Sequence, residues 1–82
     1  MKKLTVDELV PGNLYKFVLG NNNSDMYWEI ESSYTCDSFD LPIKNHIFFL
    51  LEILKEKHSL KAIIDGKILY VNGIEKLKYE KQ

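Results

Sequence analysis

Eighty-two residues, 45% of them hydrophobic and 28% charged, are enough for one small domain and too apolar for a disordered tail. The net charge of −1 gives no global field toward nucleic acid or a membrane surface, and no apolar run approaches the roughly 18 residues of a membrane span. The lone Cys36 excludes an internal disulfide framework and fits a reducing compartment.

These features predict a single cytoplasmic domain over residues 1–82, with residues 1–10 as an N-terminal lead and no targeting segment. Thr5 and Glu8 have the spacing of a capping box, which predicts one helical turn before Pro11-Gly12 breaks it. From Leu14 the apolar period becomes two. Tyr15, Phe17 and Leu19 fall on one side, with Lys16 and Val18 on the other, which predicts a strand. Residues 20–25, GNNNSD, carry the glycine and asparagines of a turn.

Met26 to Thr35 alternates again. Met26, Trp28, Ile30 and Tyr34 share the predicted core face, and Tyr27, Glu29, Glu31 and Ser33 share the other. Residues 36–45, CDSFDLPIKN, are expected to form a loop, because Pro42 and two aspartates oppose a central strand. Residues 46–58, HIFFLLEILKEKH, have two readings. Ile47, Phe48 and Phe49 favour a strand, and Leu50, Leu51, Glu52, Leu54 and Lys55 favour a helix. The strand is preferred because the chain that follows is strongly β.

The sharpest local signal is LKAIIDGKILYVNG, Leu60 to Gly73. Asp65-Gly66 between two apolar runs predicts a two-residue type I′ hairpin. That turn fixes a register in which Ile64 opposes Lys67, Ile63 opposes Ile68, Ala62 opposes Leu69, Lys61 opposes Tyr70 and Leu60 opposes Val71. Leu60, Ala62, Ile64, Leu69 and Val71 form the expected core face. Lys61, Ile63, Ile68 and Tyr70 form a second face that is apolar enough to want cover. Asn72-Gly73 makes another turn, and Ile74 to Tyr79 closes the chain as a short strand or a helical turn.

The fold class expected is mainly β: a small five- or six-stranded barrel, or a strongly bent antiparallel sheet. The alternative is an α+β domain with one helix at about 43–57. A Pro-Gly-led first strand, a strand with Trp28, a central apolar strand, a tight hairpin and a short closing strand together resemble the small barrels of the Src-homology-three, Tudor and KOW type. The resemblance covers residues 11–80 in pattern, and it implies a binding module.

Few residues offer chemistry. Cys36, His46 and His58 match no paired zinc-ligand spacing, so no metal site is expected. Cys36 with His46 and Asp37 or Asp40 could be drawn as a nucleophile, base and orienter, but no oxyanion-hole glycine motif accompanies them. Glu29 and Glu31, two apart on one face, fit a solvated surface better than an acid–base pair. No enzyme activity and no cofactor is expected.

Binding is the stronger expectation. Residues 34–42, YTCDSFDLP, mix acids with Phe39 and Leu41, a composition suited to anchoring in a partner with a basic rim. Partner-binding candidates are Tyr34, Phe39, Leu41, Lys61, Ile63, Ile68 and Tyr70. A protein partner is the first reading, and the face of Ile63, Ile68 and Tyr70 suggests a homodimer as well. The alternative is a nucleic-acid-binding barrel using lysines 44, 55, 57, 61 and 67 with Tyr70, favoured by charge: residues 1–43 carry −4 and residues 44–82 carry +3. All 11 basic residues are lysine, so the guanidinium fork that reads guanine bidentately is missing. Abundant lysine, asparagine and isoleucine suggest an AT-rich source such as a phage or mobile element, and hence a small factor acting on a host complex.

Overall fold

A computed structural model describes residues 3–18 and 27–82, with the side chain of Tyr27 outside the description. The expected turn at 20–25 and the core placements of Leu19 and Met26 also lie outside the described residues. Among the described residues seven strands form one antiparallel sheet: β1 (Leu14–Val18), β2 (Tyr27–Ser32), β3 (Ser38–Pro42), β4 (Ile47–Leu54), β5 (Ser59–Ile64), β6 (Lys67–Asn72) and β7 (Lys78–Lys81). Their order across the sheet is β3-β2-β6-β5-β4-β1-β7. Among the described residues β3 and β7 do not pair, so the sheet is not closed into a barrel. Among the described residues the helical elements are three single 3-10 turns, Val6–Glu8, Lys55–Lys57 and Ile74–Lys76.

The hairpin register follows the Asp-Gly turn as expected. Ile64 pairs with Lys67, Ile63 with Ile68, Ala62 with Leu69, Lys61 with Tyr70 and Leu60 with Val71. Asp65 and Gly66 take φ of 51° and 77°, the two positive values a type I′ turn requires. Residues 47–54 are a strand, and the helical reading of 43–57 is set aside. The cause of the ambiguity is a bulge: the β4–β5 register slips between Leu50 and Glu52, so Leu51 is an extra residue that breaks the alternation.

Two expectations are corrected. The segment 36–45 contains a strand, β3, which pairs with β2. Pro42 and the aspartates do keep it from the sheet centre, because β3 is an edge. Tyr34 is not core. The strand β2 stops at Ser32, whose side-chain oxygen accepts the Tyr34 and Thr35 N–H groups at 3.2 and 3.3 Å. That serine turn throws Tyr34 into solvent, 96% exposed.

The inner face carries the core. Tyr15, Phe17, Ile30, Phe48, Leu50, Leu60, Ala62, Ile64, Leu69, Val71 and Tyr79 are buried, with Leu9, Ile43, Ile74 and Leu77 added from the connections. Phe48 is the hub of the aromatics. Its ring stacks on Phe17 at 4.2 Å between centroids and meets the Tyr79 ring edge-on at 6.0 Å. Trp28 packs against this core, and its indole N–H donates to the Asn72 carbonyl. The Trp28 ring lies against Gly73, where an added Cβ would sit 3.4 Å from it. That is an ordinary contact distance, and it is the φ of +68° at Gly73 that favours glycine here.

The two sheet edges differ. On β7, Tyr79 exchanges two backbone hydrogen bonds with Leu4, at 2.6 and 2.9 Å, which covers that edge. No described residue pairs with the outer side of β3.

Candidate functional site

The site begins at the β2–β3 connection. After the serine turn, Cys36 takes a positive φ of 59° and its N–H donates to the Ser32 carbonyl at 3.0 Å; the Ser32 N–H donates to the Asp37 carbonyl at 2.9 Å. These bonds bring the chain back alongside β2. Phe39 then opposes Ile30 and shares the inner face with it. Because β3 is an edge, the ring is covered on one side only and stays 41% exposed.

Beside Phe39 the open end of the sheet leaves a groove of about 550 Å³. The turn residues Tyr34 and Asp37 form one wall, and Gly66, Lys67 and Ile68 of the Asp-Gly hairpin form the other. Ser33 ties the two walls together: its N–H and its hydroxyl both donate to the Ile68 carbonyl, at 3.3 and 2.8 Å. Of the predicted binding residues, the structure therefore gathers Tyr34, Phe39 and Ile68, the last 44% exposed, around one groove.

Ile63 and Ile68 continue this surface on the outer face. Across the sheet Ile68 opposes Ile63, Ile63 opposes Phe49, and Phe49 opposes Leu14. This apolar row spans four strands, and its ends, Leu14 and Ile68, are exposed. Leu41 goes elsewhere. It opposes Trp28 and packs against the core.

Lys61 and Tyr70 belong to the next row of the outer face. The Lys61 ammonium lies 6.0 Å from the Tyr70 ring centroid. Tyr70 lines a second hollow of about 450 Å³ with Glu31, Cys36, Lys57 and Ser59. This hollow is floored by a hydrogen-bonded chain that sequence reasoning missed. The buried Ser59 hydroxyl donates to Asn72 Oδ1 at 2.7 Å, and Asn72 Nδ2 donates to Glu29 at 3.0 Å. The signal was a small polar residue at a strand position that alternation assigns to the outer face, between Lys57 and Lys61. Of the lysines considered for phosphate binding, Lys57 and Lys61 fall beside Tyr70, and Lys67 lines the groove at Phe39.

The residues considered for chemistry are engaged separately. His46 Nε2 sits 3.5 Å from Asp65, whereas Cys36 lines the Tyr70 hollow. His58 Nδ1 lies 2.6 Å from Glu75, and this hydrogen bond holds the Glu75 carboxyl below its usual pKa. The pair is exposed and links the turn at 55–57 to the turn at 74–76. Among the described residues, no group of three His, Cys, Asp or Glu side chains is placed to hold a metal ion, and no helix is long and apolar enough to cross a membrane. No family model, no curated protein and no solved structure matches the chain.

Proposed function

We propose that the protein is a non-catalytic, protein-binding module built on one open antiparallel sheet, and that its binding surface is the groove between the β2–β3 turn and the β5–β6 hairpin. The observation that carries this reading is the convergence of exposed Tyr34, Phe39 and Ile68 on one groove, continuous with the apolar row through Ile63 and Phe49. Aromatic anchors around a concave apolar site are the usual core of a protein interface. The lysine-only, AT-rich composition favours a small phage or mobile-element factor acting on a host complex.

Nucleic acid is the less favoured ligand. Glu31 lines the Tyr70 hollow that Lys57 would offer to phosphate, and its like charge works against a phosphate there. The row from Leu14 to Ile68 is also the face on which a second copy would pack. The expected signature is a mass by light scattering that rises with concentration and stays monomeric in Ile68→Lys. A wild-type protein that remains monomeric at high concentration rules the dimer out.

The test of the main reading is a photo-crosslinking amino acid placed at Tyr34, and at exposed Asp7 as the control, in the source cells. A discrete protein adduct from position 34, absent from position 7 and lost when Phe39→Ser is added, is the expected result. Equal adducts from both positions, or one indifferent to Phe39, would overturn the reading.

A further inference from the structure

Which backbone groups of β3 face away from the sheet follows from the bonding of β2. Antiparallel strands alternate between residue pairs that exchange hydrogen bonds and pairs that do not. The Ser32 N–H donates to the Asp37 carbonyl, which makes Ser32/Asp37 a bonded pair on the β3 side. In the same register the next bonded pairs are Ile30/Phe39 and Trp28/Leu41. On the other side of β2, the Ser33 N–H donates to the Ile68 carbonyl, so Glu31/Tyr70 is bonded toward β6. The two ladders agree: even-numbered residues of β2 serve β3, and odd-numbered residues serve β6. It follows that the N–H and C=O groups of Ser38 and Asp40 point out of the sheet at the β3 edge. Pro42 occupies the next outward position, where an N–H would otherwise be offered, and so ends the outward-facing ladder.

The side chains at this edge are sorted by face. On the inner side, Phe39 borders the apolar groove. On the outer side stand Ser38 and Asp40, opposite Glu31 and Glu29. From residue 17 to residue 43 the chain holds no lysine or arginine. An incoming strand would therefore meet an apolar groove with one set of alternate side chains and carboxylates with the other.

We propose that the β3 edge binds an extended segment of a partner protein by strand addition, and that this segment alternates apolar residues with lysine or arginine. The inference rests on the binding reading above and names the kind of partner it takes. Main-chain bonds to Ser38 and Asp40 supply the pairing, and one apolar side chain enters the groove beside Phe39. The basic side chains fall against Asp40, Glu29 and Glu31. A second copy of β3 is the wrong occupant: antiparallel self-pairing would bring the acids of both chains together along the seam, and like charges across a ladder are unfavourable.

The test uses the whole chain and a blocked heptapeptide, acetyl-Lys-Val-Lys-Leu-Lys-Val-Lys-amide. The controls are a peptide of the same composition with lysines and apolar residues in separate blocks, and the glutamate counterpart of the alternating one. The alternating peptide is expected to bind at least about tenfold tighter than either control. It should slow hydrogen exchange at the Ser38 and Asp40 amides, leaving Phe39 and Leu41 unchanged. N-methylation of the peptide's edge-facing amides should remove about tenfold or more of the affinity. Asp40→Lys, at an exposed edge position, should reverse the preference between the lysine and glutamate peptides. Equal binding of the blocked peptide, or no slowing at Ser38 and Asp40, overturns the proposal. So does protection of those two amides without peptide. If it depends on protein concentration, a second copy occupies the edge; if it does not, the chain's own residues do. A Tyr34 crosslink that survives any of these failures leaves the broader binding reading standing and removes only the strand-addition partner.

Discussion

Replacing Phe48 with alanine is expected to destabilise the protein by about 3–5 kcal/mol, the range for emptying a fully buried aromatic site. Phe48 is 1% exposed and touches three other rings, those of Tyr15, Phe17 and Tyr79. It lies on β4, next to β1 and β5, so its neighbours come from strands on both sides and cannot close over the space without shifting the sheet. A chain of this size has roughly 4–12 kcal/mol to lose. The variant should therefore melt about 15–30 °C lower. Ile47→Ala, one position away on the exposed outer face, should change stability by less than about 1 kcal/mol. Urea unfolding followed by circular dichroism measures both. A loss under about 1 kcal/mol for Phe48→Ala would mean that the aromatic cluster is not the centre of the core.

The second large effect is alkaline. Tyr79 is fully buried on β7, its hydroxyl donating to the Ile74 carbonyl at 2.8 Å, and burial pushes its phenol well above the usual tyrosine range. In the unfolded chain the phenol ionises near pH 10. Below that pH both states hold the proton, and the contribution of Tyr79 is fully present. Above it the unfolded state loses the proton first, so stability falls as pH rises. The slope is at most about 1.4 kcal/mol per pH unit for one group. Tyr79→Phe should lose about 1 kcal/mol at neutral pH, because the phenol hydrogen bond is gone while the Leu77 N–H still donates to the Ile74 carbonyl at 3.3 Å. The same variant should flatten the alkaline decline relative to wild type. Denaturant titrations between pH 8 and 11 measure it, and identical slopes for the two proteins would remove Tyr79 as the source.

The parts of the fold legible from sequence are those where local chemistry leaves one option. Asp65-Gly66 demands positive φ at two successive residues, so both the turn and the pairing of five residue pairs could be written down in advance. The alternation around Trp28 likewise placed Ile30 in the core and Glu29 outside it. What escaped was where alternation is interrupted or burial is one-sided. Leu51 breaks the period of β4 by bulging, which mimics a helical pattern. The strand β3 is an edge with no fully buried residue, so its acids and Pro42 look like a loop. Tyr34 continues the count of β2 by two residues, but Ser32 has already capped a turn.

The candidate site divides the same way. Phe39 stood out as an apolar residue among acids, and Ile68 followed from the hairpin register. That the two meet at one groove depends on the serine turn and on β3 pairing with β2, neither of which leaves a period in the sequence. Leu41 shares its segment with Phe39, but the strand geometry brings it opposite Trp28 and into the packing.

The most direct measurement is made on one protein, Phe39→Ser, by urea unfolding and by crosslinking from Tyr34 in parallel. Phe39 is nearly half exposed at an edge, so the account predicts a stability loss within about 1 kcal/mol and disappearance of the Tyr34 adduct. A stability loss as large as that expected of Phe48→Ala would assign Phe39 to the core, and a stable variant that keeps the full adduct would contradict its role in binding.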